Sequence, residues 1–543
     1  MLIAVLSCPP ACLAQVAGAS QPEAPSVVGT GQSARHFLTS LDWTVILLYA
    51  IGMLAIGLYY HLRMKDAEDY LLGGRNMPSR SVGLSLFATL FSTITYLALP
   101  GEIIDKGPVI LWSMVSIPIA YVVVGYLLIP KFMQLRVTSA YEILESRLGL
   151  SVRLMGSTIF LVTRMLWMAL IIEITAEKII VAMLELDSSW TPWVAAGIGV
   201  ITVIYTSMGG LRAVVLTDVI QTFILFAGAL LAIILVTVHM GGVGEWWPRQ
   251  WSPNWDSQPF FSLDPKQRVT VVGSIVYMTV WWIATAGSDQ MAIQRYLATR
   301  DVKTARRVFL ITGVSNICVT FLLAALGFAL LGFFTRNPQY LAAGMDLNTQ
   351  KTADIVFPYF IIRFIPPGIT GLVLAGLLAA AMSSLSSGVN SSCSVIASDF
   401  VNRFRSQPPA PGSRQEMRET RLVSWITGGV AVLLSMLIGF ITQGQNIMEQ
   451  TVRTNHVFVG PLFCLFFMAL FVRYATPIGT AVGAIAGCVV GALLAFSTAI
   501  FGTQAISFQW ISVVTVVVNL AIAIPLSYVT YRGGRSNLAD EQM

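Results

Sequence analysis

The chain has 543 residues, of which 55% are hydrophobic and only 11% are charged, and its mean hydropathy is +0.73. This composition excludes an ordinary soluble globular protein and indicates a polytopic membrane protein. The formal net charge of +6 says less than the positions of the basic residues, which collect in the cytoplasmic loops of membrane proteins.

Apolar runs long enough to cross a bilayer recur along the whole chain. They predict an all-α fold with about thirteen transmembrane helices, at roughly 20 residues for each span. These helices lie near residues 42–62, 81–104, 107–130, 154–183, 190–208, 214–240, 269–288, 308–334, 369–393, 422–442, 454–472, 477–502 and 508–531. Because the spans use up the chain, the sequence offers no soluble catalytic domain.

The basic residues orient the spans. If the N-terminus is outside, most of the 33 Lys and Arg residues fall in cytoplasmic loops, Arg295, Arg300 and Arg403 among them. We therefore predict an extracellular segment at residues 1–41, a cytoplasmic tail at residues 532–543 and a multi-pass protein of the plasma (inner) membrane. The apolar start of the first segment is short and lacks a basic region, so a weak signal peptide and a mis-assigned start codon both stay open.

Two predicted spans are interrupted by polar residues. In the span 81–104 the run Ser92–Tyr96 precedes Pro100, and in the span 269–288 the run Ala284–Ser288 precedes Asp289. Breaks at corresponding positions of two halves indicate an inverted-repeat transporter whose site lies at the unwound segments. Two kinks without a transport role are the alternative. The halves are predicted at residues 81–240 and 269–472, with one extra helix at 42–62 and two more within 477–531.

A run of small and hydroxyl residues, Ala379–Ser387, lies inside the predicted span 369–393. At 3.6 residues per turn, Ser383, Ser386 and Ser387 share one helix face, and Ser384 lies beside them. Hydroxyl and carbonyl oxygens are the ligands that a hard cation such as Na⁺ prefers. Close packing of two membrane helices through small residues is the alternative.

Three segments resemble, in order, the signatures of the solute:sodium symporter family. They are Gly209–Gln221, Asp289–Ala298 and the run Ala379–Ser387, and the resemblance extends over residues 42–531. The resemblance implies the leucine-transporter fold, in which ten core helices form two inverted five-helix repeats, with one helix before them and two after. It also implies that Na⁺ is the coupling ion.

By motif position, the resemblance implies a conserved sodium site between the first and eighth core helices. Its ligands would be the backbone carbonyls of Ala88, Phe91 and Ala380 and the hydroxyls of Ser383 and Ser384. Some members hold a second sodium ion, and the residues that match that site are Asp218, Ser383, Ser386 and Ser387. An acid inside a span is costly and indicates function. Helix capping or a pair with Arg212 is the structural alternative for Asp218.

The solute is less well defined by the resemblance. Ser92, Thr95 and Arg164 resemble the hydroxyls and the carboxylate-binding arginine of the sialic acid branch. A planar guanidinium suits a bidentate carboxylate contact, whereas a structural pair with Glu173 or with a backbone carbonyl is the alternative. Asn316 stands where the sugar branch has a lysine, which argues against sugar recognition of that kind.

The sequence therefore predicts a sodium-coupled secondary active symporter, not an enzyme, that imports a small organic solute by alternating access. The predicted solute is a carboxylate, either sialic acid or a monocarboxylate-like compound. A sugar, a vitamin or an inorganic anion is the alternative within the family, and a membrane sensor without an output domain is the alternative of another class. The predicted partners are the small-molecule solute and the lipid bilayer, without nucleic acid, and the oligomeric state stays open, a monomer included.

Overall fold

In the computed structural model of the protein, residues 38–540 are described apart from positions 65, 136, 183, 185, 253–254, 257–259, 343, 348, 408, 411–412, 442–446 and 503–505. Most of the predicted segment 1–41 and the end of the predicted tail 532–543 lie outside the described residues. The described part of the chain is helical and contains no β-strand, which confirms the predicted all-α class.

The described residues up to Met240 form nine α-helices. They are α1 (Ser40–Arg63), α2 (Ala67–Leu72), α3 (Ser79–Leu90), α4 (Thr93–Lys106), α5 (Ser116–Val123), α6 (Ile129–Met133), α7 (Glu142–Leu148), α8 (Leu150–Thr175) and α9 (Thr191–Met240). Turns of 3₁₀-helix lie at Gly73–Arg75, Pro108–Val115 and Ser188–Trp190, and π-helical turns lie at Val124–Leu128 and Ala176–Val181.

The described part of the chain after Met240 continues in the same manner. Its helices are α10 (Val243–Trp246), α11 (Val271–Ser288), α12 (Gln290–Leu297), α13 (Val302–Arg336), α14 (Gln350–Phe364), α15 (Ile369–Val395), α16 (Arg414–Ile441), α17 (Ile447–Phe471), α18 (Pro477–Ala495), α19 (Ser497–Phe501) and α20 (Phe508–Asp540). A 3₁₀ turn lies at Pro338–Tyr340, and a π-helical turn at Ile396–Val401 extends α15.

The helices agree with the predicted spans in position, and the difference in number comes from one element bent at Gly210 and from one shorter apolar helix. Among the described residues, ten helices are long and apolar enough to cross a membrane, and α3 with α4 makes an eleventh as a pair bent by 67°. The predicted number was thirteen. The predicted spans 190–208 and 214–240 belong to one element, Ser188–Met240, and the predicted span 454–472 corresponds to a shorter apolar helix, Asn455–Phe471.

Both predicted interruptions are real breaks in the helices. Between α3 and α4 the backbone is extended at Phe91 and Ser92, and the Ser92 hydroxyl accepts a hydrogen bond from the Thr95 amide at 3.3 Å. Between α11 and α12 the backbone is extended at Asp289, whose carboxylate accepts from the Met291 amide at 2.9 Å. Ser and Asp both favour this N-cap role, because their side-chain oxygens satisfy amides that lack a helical partner.

Helix α9 changes direction at Gly210, which explains why one element carries two predicted spans. Its φ of 56° lies in the region that favours glycine, and a Cβ there would lie 2.6 Å from the backbone oxygen of Tyr70. Any larger residue at this position would have a strained backbone and would collide with the backbone of α2.

Helix α15 lies at the centre of the molecule. In its most apolar stretch 89% of the residues are buried, and it packs on α1, α3, α8 and α9. Its first amides are satisfied from another helix, because Asp42 of α1 accepts hydrogen bonds from Gly368 and Gly371 at 2.7 Å each. The hydroxyl run of α15 is therefore held in the interior, opposite the break between α3 and α4.

Candidate ion and solute site

The break between α3 and α4 leaves backbone carbonyls without a helical partner. Thr89 contributes one of them, and its oxygen accepts a hydrogen bond from the Ser384 hydroxyl at 3.3 Å. The Thr89 hydroxyl lies 2.8 Å from that of Ser387, and Thr93 donates to the Leu377 carbonyl at 3.3 Å. The break thus faces α15 through oxygen atoms on both sides.

The predicted ligands of the conserved sodium site fall on these two facing stretches. Ala88, Phe91 and Ala380 are buried in one apolar cluster, and Ser383 and Ser384 follow Ala380 on α15, both buried. The Ser383 hydroxyl donates to Asp218 at 2.6 Å. Because its proton is used there, its lone pairs remain available to a cation.

Asp218 of α9 is the centre of a second polar cluster. Its side chain is fully buried and accepts hydrogen bonds from the hydroxyls of Ser85 at 2.5 Å and Ser383 at 2.6 Å. The Ser387 hydroxyl lies at 3.5 Å. Ser386, the fourth residue predicted for a second sodium site, instead donates to the Ser383 carbonyl on its own helix at 3.0 Å.

A guanidinium completes this cluster. Arg295 of α12 is fully buried, and its Nη2 donates to Asp218 at 3.2 Å and to the Ser387 hydroxyl at 2.5 Å. Its Nε donates to Ser85 at 3.0 Å and its Nη1 to the Met291 carbonyl at 3.0 Å. Asp218 therefore pairs with Arg295 and not with Arg212, the partner that the sequence suggested.

The placement of Arg295 in a cytoplasmic loop was wrong. Arg212, the expected partner of Asp218, forms an ion pair with Asp69 at 2.6 Å and is 44% exposed. The burial of Arg295 has a physical reason, because the Asp218 carboxylate and two hydroxyls replace the water that the guanidinium loses.

Arg164 of α8, the predicted carboxylate-binding residue, is held by Asp289 in an ion pair. Both side chains are 11% exposed, and Asp289 lies exactly where α11 and α12 separate. The sequence had suggested Glu173 or a backbone carbonyl as the structural partner, so this partner is a new finding.

The predicted solute residues lie at both breaks, with Ser92 and Thr95 between α3 and α4 and Arg164 beside Asp289 between α11 and α12. Ile171 follows Arg164 by two helical turns on the same face of α8, and Ile171 packs in one apolar cluster with Ile94 and Ala381. The hydroxyls of Ser92 and Thr95 lie 3.2 Å apart. Thr95 is exposed although its two chain neighbours are buried, so its side chain has open space beside the break.

A further polar cluster connects α8 and the segment before α7 to the end of α15. Asp399, after α15, is fully buried and accepts from Arg153 at 2.6 Å, from Ser139 at 2.9 Å and from the Ser157 hydroxyl. We call residues 138–145 together with Arg153 and Asp399 the closure. Glu145 of the closure is bonded by Arg403 and Arg153, and these hydrogen bonds hold the pKa of its carboxyl below the ordinary value.

Four contacting residues were not among the predicted site residues: Ser85, Thr89, Asp289 and Arg295. Asp289 and Arg295 lie inside the segment Asp289–Ala298 that carried the family resemblance. Two charged residues in this segment, directly after a predicted span, were a signal that could have identified them as site residues. Ser85 and Thr89 had a weaker one, since they are hydroxyl residues one turn apart on the helix that precedes the break.

The comparisons with known proteins agree with this geometry. A model of the sodium:solute symporter family matches residues 70–491. A sodium/sialic acid symporter of Proteus mirabilis is 29% identical over 509 residues, which cover 90% of this chain and 96% of that protein. The human sodium/iodide cotransporter is 28% identical over 478 residues, which cover 87% of this chain and 72% of that protein.

Two solved structures show the same arrangement of helices. A substrate-bound, outward-open state of a Na⁺-coupled sialic acid symporter, which reveals a novel Na⁺ site, matches with a TM-score of 0.75 at 27% identity, over 90% of this chain and 98% of that one. A nucleobase-cation-symport transporter in a closed conformation matches with a TM-score of 0.53 at 11% identity, over 86% of this chain and 95% of that one. The second likeness concerns the fold alone.

Proposed function

Because the chain belongs to the sodium:solute symporter family, it is a sodium-coupled symporter, and we propose that its solute is a small carboxylate. It is a multi-pass membrane transporter with the leucine-transporter fold, and Na⁺ is its coupling ion. The family and the relatives are transporters and not enzymes. We also propose that the N-terminus lies outside the plasma (inner) membrane and that the protein imports its solute. The two inverted repeats are proposed at residues 81–240 and 269–472.

The observation that carries the proposed solute is the position of Arg164. Its guanidinium is nearly buried beside Asp289. The same face of α8 carries Ile171, which packs against Ile94 of α4. A guanidinium in such a low-dielectric place needs an anion, which is Asp289 in this structure, and its planar fork also fits a solute carboxylate with two parallel hydrogen bonds. The relatives named for sialic acid and iodide transport also carry anions, which favours an anionic solute here.

Ser92 and Thr95 would bind the rest of the solute. Thr95 presents its hydroxyl to the open space at the break, and Ser92 lies 3.2 Å from it while capping α4. A solute hydroxyl or carboxylate oxygen could therefore replace water beside α4 without leaving the amide of Thr95 unpaired. We propose Ser92, Thr95 and Arg164 as the solute-binding residues.

Sodium would bind between α3 and α15. The proposed ligands are the carbonyls of Ala88, Phe91 and Ala380 and the hydroxyls of Ser383 and Ser384. An ion there joins two helices that separate when the carrier turns inward, so its binding favours one conformation and couples ion to solute.

A second sodium at Asp218, Ser383, Ser386 and Ser387 would have to compete with Arg295. The guanidinium already bonds the Asp218 carboxylate and the Ser387 hydroxyl. The number of ions changes the driving force. Transport of a monoanion with one sodium ion moves no net charge across the membrane, whereas transport with two sodium ions moves one positive charge. One charge across 100 mV contributes about 2.3 kcal/mol, or roughly a 50-fold gradient of the solute. We propose that the second ion enters only when Arg295 releases Asp218.

The test is a thermal-shift and uptake panel on the purified protein, with N-acetylneuraminate, lactate, iodide, galactose and biotin, each in sodium and in potassium. We expect sodium-dependent stabilisation by a carboxylate, since a ligand that binds the native state raises its stability. Arg164→Gln should abolish this response, and Arg336→Gln, at a half-exposed arginine paired with Glu245, should keep it. Stabilisation by galactose alone, or a carboxylate response unchanged in Arg164→Gln, would contradict the proposed solute.

A further inference from the structure

Helix α12 is short, polar and completely buried. All eight of its residues, Gln290–Leu297, are buried, as is Asp289 before it. Buried amides and charges are costly unless each finds a partner, and Gln290, Gln294 and Arg295 of α12 each bond residues of other elements. The helix is therefore placed to connect parts of the carrier that move separately.

The first residue of α12, Gln290, bonds the closure. The Gln290 amide oxygen accepts from the Ala140 backbone amide at 2.7 Å, and its nitrogen donates to the Thr138 carbonyl at 3.0 Å and to the Ser394 hydroxyl at 3.2 Å. One glutamine side chain thus joins the closure to α15. A shift of α12 by an ångström or more would break these three bonds together.

The middle of α12 contacts the ion region. Gln294 donates to the Leu71 carbonyl at 2.6 Å and lies 3.3 Å from the Asn390 side chain, and Arg295 bonds Asp218 and Ser387. The same helix therefore carries Arg295, which bonds two residues of the candidate second sodium site.

The start of α12 meets the solute site. The two oxygens of Asp289 have different tasks, because Oδ1 accepts from the Met291 amide at 2.9 Å and caps α12, whereas Oδ2 binds Arg164. The cap can therefore persist when Oδ2 loses its partner. Arg164 in turn has one carboxylate already, in the position where a solute carboxylate would bind.

We propose that Asp289 is an internal competitor for the solute, which occupies Arg164 until a solute carboxylate replaces it. The proposal rests on the carboxylate function of Arg164 given above. Exchange of one carboxylate for another keeps the guanidinium paired before and after the solute binds, so the empty site does not contain a buried charge without a partner. Release of Oδ2 frees the start of α12 from α8 and loosens the closure that Gln290 holds.

Asp289 thereby determines the affinity for carboxylates and which solutes open the closure. It lowers the affinity for every carboxylate, because each must displace it, and it reserves the opening of the closure for solutes that bind Arg164. A neutral solute leaves the Asp289–Arg164 pair and α12 in place.

The test compares the full-length protein with its Asp289→Asn variant in sodium, with N-acetylneuraminate and lactate as probes. Asn keeps the helix cap and the shape but removes the charge. We expect the Kd of the carboxylate that binds the parent protein to fall by about tenfold, the size of a moderate charged interaction. If Asp289→Asn does not fold, Asp289→Ser, which also caps a helix and is neutral, should give the same change.

A second readout follows the closure. Ala140 is fully buried, and a cysteine introduced there by Ala140→Cys should react with a thiol reagent only when the closure opens, against the background of the parent protein's cysteines. We expect Asp289→Asn to raise the rate of labelling severalfold without solute, and the carboxylate to raise it in the parent sequence.

The outcomes separate the competitor role from the proposed solute. A carboxylate that binds through Arg164 with an affinity unchanged or lower in Asp289→Asn, and with unchanged labelling at position 140, would overturn the competitor role and leave the solute proposal intact. Absence of carboxylate binding in both the parent and the variant would overturn the solute proposal, and the competitor role with it.

Discussion

The buried pair of Asp218 and Arg295 allows the sharpest prediction. Neither side chain is exposed, and Nη2 lies 3.2 Å from Oδ2. At an effective dielectric constant of about 20, two charges at this distance attract by roughly 5 kcal/mol. Removing one partner of a buried pair costs about 3–5 kcal/mol, because the other charge stays buried without compensation. We expect Asp218→Asn and Arg295→Gln each to lower the free energy of unfolding by this amount.

The double variant should be more stable than either single variant, because no uncompensated charge remains. Thermal unfolding in detergent ranks the four proteins, and chemical unfolding gives the coupling free energy of the cycle. Arg212→Gln is the matched control. It breaks an ion pair with Asp69 that is 44% exposed on the arginine side, and such a pair contributes about 1 kcal/mol or less.

Two results would refute this reasoning. One is a cost for the single variants that does not exceed that of Arg212→Gln. The other is a double variant as unstable as the sum of the two, which would show that the charges are not coupled. The sodium dependence of uptake adds an independent comparison, since Arg295→Gln frees the Asp218 carboxylate and should raise the Hill coefficient for sodium if a second ion enters there.

Three further predictions concern the ion site, the backbone and the closure. Ser384→Ala should raise the sodium concentration for half-maximal uptake severalfold, because a bound ion gains about 1 kcal/mol or more from such an oxygen. Ser391→Ala, which removes a buried hydroxyl bonded within α15, should not do so, and equal effects would remove Ser384 from the site. Gly210→Ala should abolish folded protein in size-exclusion chromatography, since its Cβ meets backbone at 2.6 Å, whereas Gly429→Ala has open space and should behave as the parent does. For Glu145, whose pKa is lowered, the stabilisation is complete above the ordinary value of 4.5 and is lost as the pH falls through the lower folded value, so Glu145→Gln should flatten the acid limb of the stability curve. An unchanged acid limb would contradict this.

The sequence determined the membrane class and the identity of the elements. Hydropathy locates apolar helices well because each must hide its backbone from lipid by itself. Hence the spans matched in position, and the breaks before α4 and α12 were visible as polar runs with a capping residue, Ser92 at the start of the first run and Asp289 after the second. The count of thirteen differs from the ten or eleven long helices in part because α9 includes two predicted spans, which meet at the non-helical backbone of Gly210.

Only the tertiary structure decided which polar residues meet. Arg295 is charged and lies near the end of an apolar region, so a charge rule counts it as a loop residue. Its burial depends on Asp218, 77 positions earlier in the chain, and no local pattern records a contact at that separation. The same holds for Arg164 and Asp289, which lie 125 positions apart. Residue type and spacing therefore determined which groups could act, and the packing of α8, α9, α12 and α15 determined which charges compensate one another, since a buried charge is stable only beside its partner.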